Sequence, residues 1–268
     1  MPRSLLILAS FTAFHLSWAA GDAVRQAPSY SASGIVNSAT GLPNAIAPNS
    51  FVTLYGTGLS NATRSIGPED VRAGILPTVL GGTGVRVLVG GFPAYIFFVS
   101  PTQVNFLVPS NLIPGPTEFQ LVLDGRAGPA IKVTLSETAP GLYPMDEESI
   151  IAAHADGEPT TADNPARPGE VIVLYANGLG PTTPSVINGQ VPTKAARIKY
   201  ASLLHLSLNG EPVDPSNILY AGITPYSAGM YQINLKVPDG TPDDPEVRIQ
   251  LPGSESPAGT RIRIRRAE

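Results

Sequence analysis

The sequence predicts an all-β protein built as two tandem immunoglobulin-like β-sandwiches joined by a short hairpin-like connector. The first observation is an internal repeat: Pro48 to Leu59 returns as Pro168 to Leu179, an offset of 120 residues. Val87 to Pro93 is matched by Leu206 to Pro212, and Gln103 to Pro109 by Gln232 to Pro238. Matched blocks in the same order mean two copies of one folding unit. The second observation is the texture of each copy, short runs rich in β-branched and aromatic residues, bounded by Gly, Pro, Asn and Ser. The third is that no sustained 3.6-residue apolar period follows the amino-terminal segment, so no long helix is expected.

In chain order, the first 19 residues have the form of a secretory signal. Arg3 supplies the positive start, Leu5 to Leu16 an apolar run, and Ser17-Trp18-Ala19 the small residues of a cleavage site after Ala19. Residues 20–33 are small and polar and read as a flexible lead-in. The first sandwich is placed at 34–137, with strands at Phe51 to Tyr55, Gly84 to Val89, Tyr95 to Val99, Phe119 to Leu123 and Ile131 to Leu135. Residues 138–166 form the connector, with an Asp156-Gly157 turn. The second sandwich is placed at 167–268, with strands at Val171 to Tyr175, Leu203 to Leu208, Ile218 to Ala221, Gln232 to Val237, Val247 to Leu251 and Thr260 to Ile264. In the last of these Ile262 and Ile264 face inward, and Arg261, Arg263 and Arg265 form a charged edge that discourages aggregation. Tyr55 and Tyr175, at equivalent strand ends, are expected to plug the two cores.

Composition narrows the function. A net charge of −4 offers no basic footprint for nucleic acid. No apolar stretch after the signal is long enough to span a bilayer. Cysteine is absent, which removes disulfides and lipid attachment, so an exported chain must hold together by packing. The expected location is therefore secreted, periplasmic or cell surface.

Catalytic motifs are missing: there is no Gly-x-Ser-x-Gly elbow, no His-Glu-x-x-His helix and no phosphate loop. His154, in the connector, and His205, on the polar side of a strand, each stand alone and read as surface residues. Asp146-Glu147-Glu148 and Asp239 with Asp243-Asp244 lack the spacing of a calcium loop and read as solvated tips, so neither a metal nor a cofactor is expected. The duplicated Gln103-x-Asn105 and Gln232-x-Asn234 read as structural amides that close loop backbone hydrogen bonds.

Several blocks resemble a known family. Gly34 to Ala39, Leu54 to Leu59, Val99 to Phe106, Asn164 to Glu170, Gly178 to Pro181 and Tyr231 to Asn234 resemble the Solibacter-type uncharacterised C-terminal domain of exported bacterial proteins. Each half also resembles an IPT/TIG module, through an early strand ending in Gly-x-Gly-Leu and a late strand ending in Val-Pro. The resemblance implies an exported, immunoglobulin-like architecture and assigns no activity.

One asymmetry separates the copies. The second carries about ten extra residues, Gly222 to Tyr231, just before its Gln-x-Asn strand. Tyr226, Met230 and Tyr231 make this the candidate partner-binding loop, because aromatics and Met are enriched where surfaces bind. The alternative is a lid over the end of its own sandwich. The expected function is a non-catalytic structural or interaction module, a spacer or adhesion unit contacting protein partners; the partner itself is left open between envelope proteins and polysaccharide. A carbohydrate-binding module is the other reading, weakened because the one tryptophan, Trp18, leaves with the signal. An enzyme is the least expected class.

Overall fold

In the computed structural model, which describes residues 26–266, the chain is all-β apart from four single-turn 3₁₀ segments. The signal segment and its cleavage site lie outside the described residues. The first unit packs two antiparallel sheets face to face. One has the strand order Ile35–Asn37, Phe51–Tyr55, Gln103–Leu107, Tyr95–Val99, Arg64–Ser65. The other has Ile131–Leu135, Gly115–Leu123, Val85–Val89, Phe92–Pro93. Alternation along the strands sends Val52, Leu54, Val104 and Phe106 inward from one sheet to meet Val85, Val87, Phe119 and Leu121 from the other.

The second unit repeats the plan. A seven-stranded sheet is centred on Val171–Asn177, Tyr231–Lys236 and Ile218–Ile223, and a four-stranded sheet on His205–Leu208 and Val247–Leu251. Its core holds Ile172, Leu174, Ile233 and Leu235 against Leu206, Leu208, Val247 and Ile249.

Two parts of the expected layout change. The lead-in is not loose up to residue 33, because Tyr30 lies in the first core. Its hydroxyl donates to Pro129 O and accepts from Leu121 N–H, both at 2.7 Å, while Ser29 pairs with Thr57. Nor is the connector a separate piece. Gly141–Leu142 and Ala152–His154 both pair with Val171–Asn177, and Leu142, Ile150, Ala152 and Ala166 are buried in the second core. The hairpin at Asp156-Gly157 exists, with His154 N–H donating to Glu158 O at 2.8 Å, but it hangs from the edge of the second sandwich.

The C-terminal stretch alternates as expected, with Ile262 and Ile264 fully buried. It is not a bare edge, however. Arg261 bridges both Ser149 and Glu246, and Ile264 bridges Ala166. Two of its arginines, Arg263 and Arg265, meet acidic groups, while Arg261 stays exposed. Arg263 lies 3.5 Å from both Asp146 and Asp244 and 3.8 Å from Glu148, and Arg265 lies 2.5 Å from Asp244.

Candidate functional site: an aromatic groove at the seam

The two sandwiches meet along a packed seam. Backbone crosses it directly: Leu76 N–H donates to Gly189 O and Val191 N–H to Gly74 O, both at 2.8 Å. A small apolar cluster straddles it, with Leu76, Tyr95 and Leu107 of the first unit against Val191 and Ala228 of the second. Gly189 sits so close to the Tyr95 ring that an added Cβ would lie 2.2 Å from it. These contacts fix the units relative to one another.

The residues 222–231 belong to this seam. Thr224 N–H donates to Met230 O at 2.8 Å and closes the loop, and Tyr226 N–H donates to Pro192 O at 2.6 Å. Gly229, at φ +72°, lies against Leu107 and Phe51, where a Cβ would come within 2.3 Å of Leu107. The loop therefore covers the neighbouring unit, neither projecting freely nor lidding its own core.

Of the three residues picked out in this loop, Tyr226 and Met230 lie on the surface and Tyr231 does not. Tyr226 is 75% exposed and holds a positive φ of 63°. A bulky side chain rarely adopts that backbone region. Met230 is half-buried. Tyr231 is fully buried, which removes it as a surface contact. It begins the Tyr231–Lys236 strand, where successive side chains alternate, so Met230 and Tyr231 take opposite faces. Its hydroxyl donates to Gly180 O at 2.6 Å and accepts from Asn49 Nδ2 at 3.0 Å. Burial pushes that hydroxyl up to about 12, although the Asn49 hydrogen bond acts in the other direction.

Tyr226 and Met230 overhang a groove of about 460 Å³ whose other walls include Phe51, Val71, Phe97 and Val191. Phe51 and Phe97 meet edge to face, with ring centroids 4.7 Å apart and planes at 84°. The Gly67–Asp70 turn forms one rim. Arg64 grips it, donating to both carboxylate oxygens of Asp70 at 2.7 and 3.0 Å, and Asp70 also accepts the Gly67 N–H at 2.9 Å. The groove is thus apolar, aromatic and built on a braced frame.

The other residues considered from sequence lie elsewhere. His205 is exposed on a strand. His154 is mostly covered: Nδ1 meets the Glu170 carboxylate and Nε2 lies 3.2 Å from Asn164 O. Glu170 raises the imidazole above its ordinary value, chiefly through that hydrogen bond. The Asp146 carboxyl is held down at about 2, first by the Ser149 hydroxyl, then by the backbone N–H groups of Glu148 and Ser149 and by Arg263. Among the described residues no group of three or more His, Asp or Glu is placed to hold a metal ion.

The duplicated amides are structural, but they do not close loop backbone as expected. In each copy they bond to each other, Gln103 Nε2 to Asn105 Oδ1 and Gln232 Nε2 to Asn234 Oδ1, both at 2.8 Å. Residues two apart on a strand share a face, which places the amides side by side. The expected core tyrosines are also corrected. Tyr55 is 50% exposed and Tyr175 half-buried, because Val52 and Leu54, and Ile172 and Leu174, take the inward positions. Phe51 and Phe97 were not singled out from sequence, since both read as ordinary strand residues.

No family model matches the chain. No curated protein matches it either. Among solved structures it is similar to SGBP-B of the Bacteroides ovatus mixed-linkage glucan utilization locus, in complex with a mixed-linkage heptasaccharide. That match has 13% identity and a TM-score of 0.34, covering 90% of this chain and 46% of that one. It is also similar to the tandem Ig repeats of Dlar, with 10% identity and a TM-score of 0.20, covering 90% and 96%. A third is the Escherichia coli adhesin FdeC, with 13% identity and a TM-score of 0.25, covering 84% and 62%. The chain spans less than half the length of the first of these. The class its own topology defines is a tandem of immunoglobulin-like sandwiches. No helix among the described residues is long and apolar enough to cross a membrane.

Proposed function

We propose that this chain is an exported, non-catalytic surface module of the Solibacter-type C-terminal family, and that it holds an apolar segment of an envelope protein in the seam groove. One observation carries the reading. Tyr226 stands 75% exposed in a left-handed backbone conformation at the lip of an aromatic groove whose frame is braced from both units. Strained residues persist where the surroundings over-determine them, and they cluster at binding sites. Exposed Tyr and Met side chains lose water favourably on contact, and a few such groups dominate an interface.

The polysaccharide reading rests on the same Tyr226 ring, whose exposed face suits a sugar. The groove walls favour protein, because Phe51, Val71, Phe97, Val191 and Met230 offer no hydrogen-bonding side chain to hydroxyl groups.

The test replaces Tyr226 and Met230 together with Ser and compares retention by envelope extracts and by a glycan array. Protein retention should disappear while the thermal midpoint moves little. Retention on glycans alone, lost in the variant, transfers the site to polysaccharide. A variant that unfolds easily while binding persists shows that the loop is only part of the seam.

A further inference from the structure

A second cavity opens at the seam and shares no lining residue with the groove. It encloses about 130 Å³ between Pro48, Leu112, Pro114, Pro181 and Val186, with Tyr231 and Asn49 also lining it. Its polar groups are mostly acceptors, and the hydrogen bonding fixes that. Gly180 O can only accept, so the Tyr231 hydroxyl donates to it and must receive from Asn49. That requirement orients the Asn49 carboxamide with Nδ2 toward Tyr231. Asn49 Oδ1 is left with no protein partner among the described residues, although the residue is only 7% exposed.

At the rim stands Glu137. Among the described residues both of its contacts, from the Tyr200 hydroxyl and from Lys199 at 3.8 Å, fall on Oε1, which leaves Oε2 of this half-exposed side chain to solvent. Ser110 and Ser185 add hydroxyls, and among the described residues no Lys or Arg lines the cavity. The volume equals the liquid volume of roughly four waters, which suits a single short side chain and not a drug-sized ligand.

We infer that this cavity receives a primary alkylammonium group, a short apolar stem ending in NH3+, presented either by a small free amine or by a lysine side chain. The stem lies along the proline, leucine and valine walls, as lysine stems lie on apolar surface. The ammonium has three hydrogens and no acceptor, matching Asn49 Oδ1, Glu137 Oε2 and a serine hydroxyl. A carboxylate or a phosphate could take hydrogen bonds from the serine hydroxyls alone, and it would face the Glu137 carboxylate at the rim, whose Oε1 lies 3.8 Å from Lys199.

The full chain is titrated with n-butylammonium, n-butanol and butyrate, and with blocked Gly-Lys-Gly and Gly-norleucine-Gly peptides, by NMR chemical shift. Butylammonium should saturate, with butanol and butyrate each roughly tenfold weaker. Saturation by the lysine peptide as well, and not by its norleucine counterpart, identifies a lysine side chain as the source. Saturation by the free amine alone identifies a small amine. Glu137→Gln, on the exposed rim, should weaken the ammonium roughly tenfold with the fold intact. Ser185→Phe, which fills the mouth, should abolish binding altogether. Equal binding of butanol and butylammonium, an unchanged constant in either variant, or no saturation below concentrations on the order of 10 mM overturns the assignment.

Discussion

Asn37 and Asn177, 140 positions apart, share a buried hydrogen bond across the seam, Asn177 Nδ2 donating to Asn37 Oδ1 at 2.9 Å. Asn177 also donates to Phe51 O and accepts Phe51 N–H, both at 2.9 Å, so one carboxamide extends the edge of the neighbouring sheet. Asn37 in turn donates to Ala45 O at 2.9 Å and Ala139 O at 3.1 Å, and accepts Ala39 N–H at 2.9 Å. Neither side chain has any exposure.

Replacing Asn177 with Ala should therefore cost about 2–4 kcal/mol, because Phe51 N–H loses its partner in a buried place and Asn37 Oδ1 keeps only the Ala39 N–H. Asn177→Asp should cost at least as much despite its matching shape, since it loses both donors and buries a charge. Urea unfolding measures both. An aspartate variant as stable as the parent would show that the seam admits water.

Gly58 and Gly178 are repeat equivalents with the same left-handed backbone, φ +64° and +69°. A Cβ at Gly58 meets nothing within 4 Å, whereas at Gly178 it would lie 2.2 Å from Ala139 O. Gly58→Ala should cost about 1–2 kcal/mol of backbone strain. Gly178→Ala should cost about 1–3 kcal/mol more, because a main-chain carbonyl must move. Equal losses in calorimetry would mean that the connector shifts freely.

The tyrosines separate by burial. Tyr231→Ala should cost about 3–5 kcal/mol and Tyr30→Ala a similar amount, both being core aromatics. Tyr55→Ala, at a half-exposed strand end, should cost under about 1 kcal/mol. Tyr231→Phe isolates the hydroxyl and should cost about 1–3 kcal/mol, leaving Asn49 without its acceptor. Chemical denaturation of the four variants ranks them.

The His154 pair gives a pH dependence of definite sign. Glu170 and Asn164 O are both acceptors, so the ring is best served with a proton on each nitrogen, and its folded pKa is raised. The stabilisation is then complete below the ordinary histidine value of about 6.5, and it is lost as pH rises through the raised folded value. Thermal midpoints taken across that window should fall in the parent and stay flatter in Glu170→Gln. A midpoint that rises with pH in the parent alone would contradict the assignment.

Much of the architecture was legible because alternation and the repeat carry it: the inward sets Val52 and Leu54, and Ile172 and Leu174, follow from the strand period. The aromatic character of Tyr55 suggests a core plug, but the strand period turns it outward, because Val52 and Leu54 hold the inward positions. Tyr30 was hidden in a polar lead-in, since one residue makes no pattern. The seam was the least legible part, because it depends on which faces of two folded units meet. A signal for it existed nevertheless. Asn177 stands where the first copy has Thr57, and the ten extra residues end at Tyr231. Both departures from the repeat lie on the seam, so the difference between copies marks where they join.

The placement of Ile262 and Ile264 bears on how the chain is made. The first sandwich owns its whole core once Leu135 has emerged from the ribosome, but the second remains open until those two isoleucines arrive. Throughout that interval Phe51, Tyr95, Phe97 and Leu107 face an empty side that only the later half covers. Synthesis therefore passes through a stage in which a finished domain displays a sticky flank, and an escort that shields apolar surface has its natural target there.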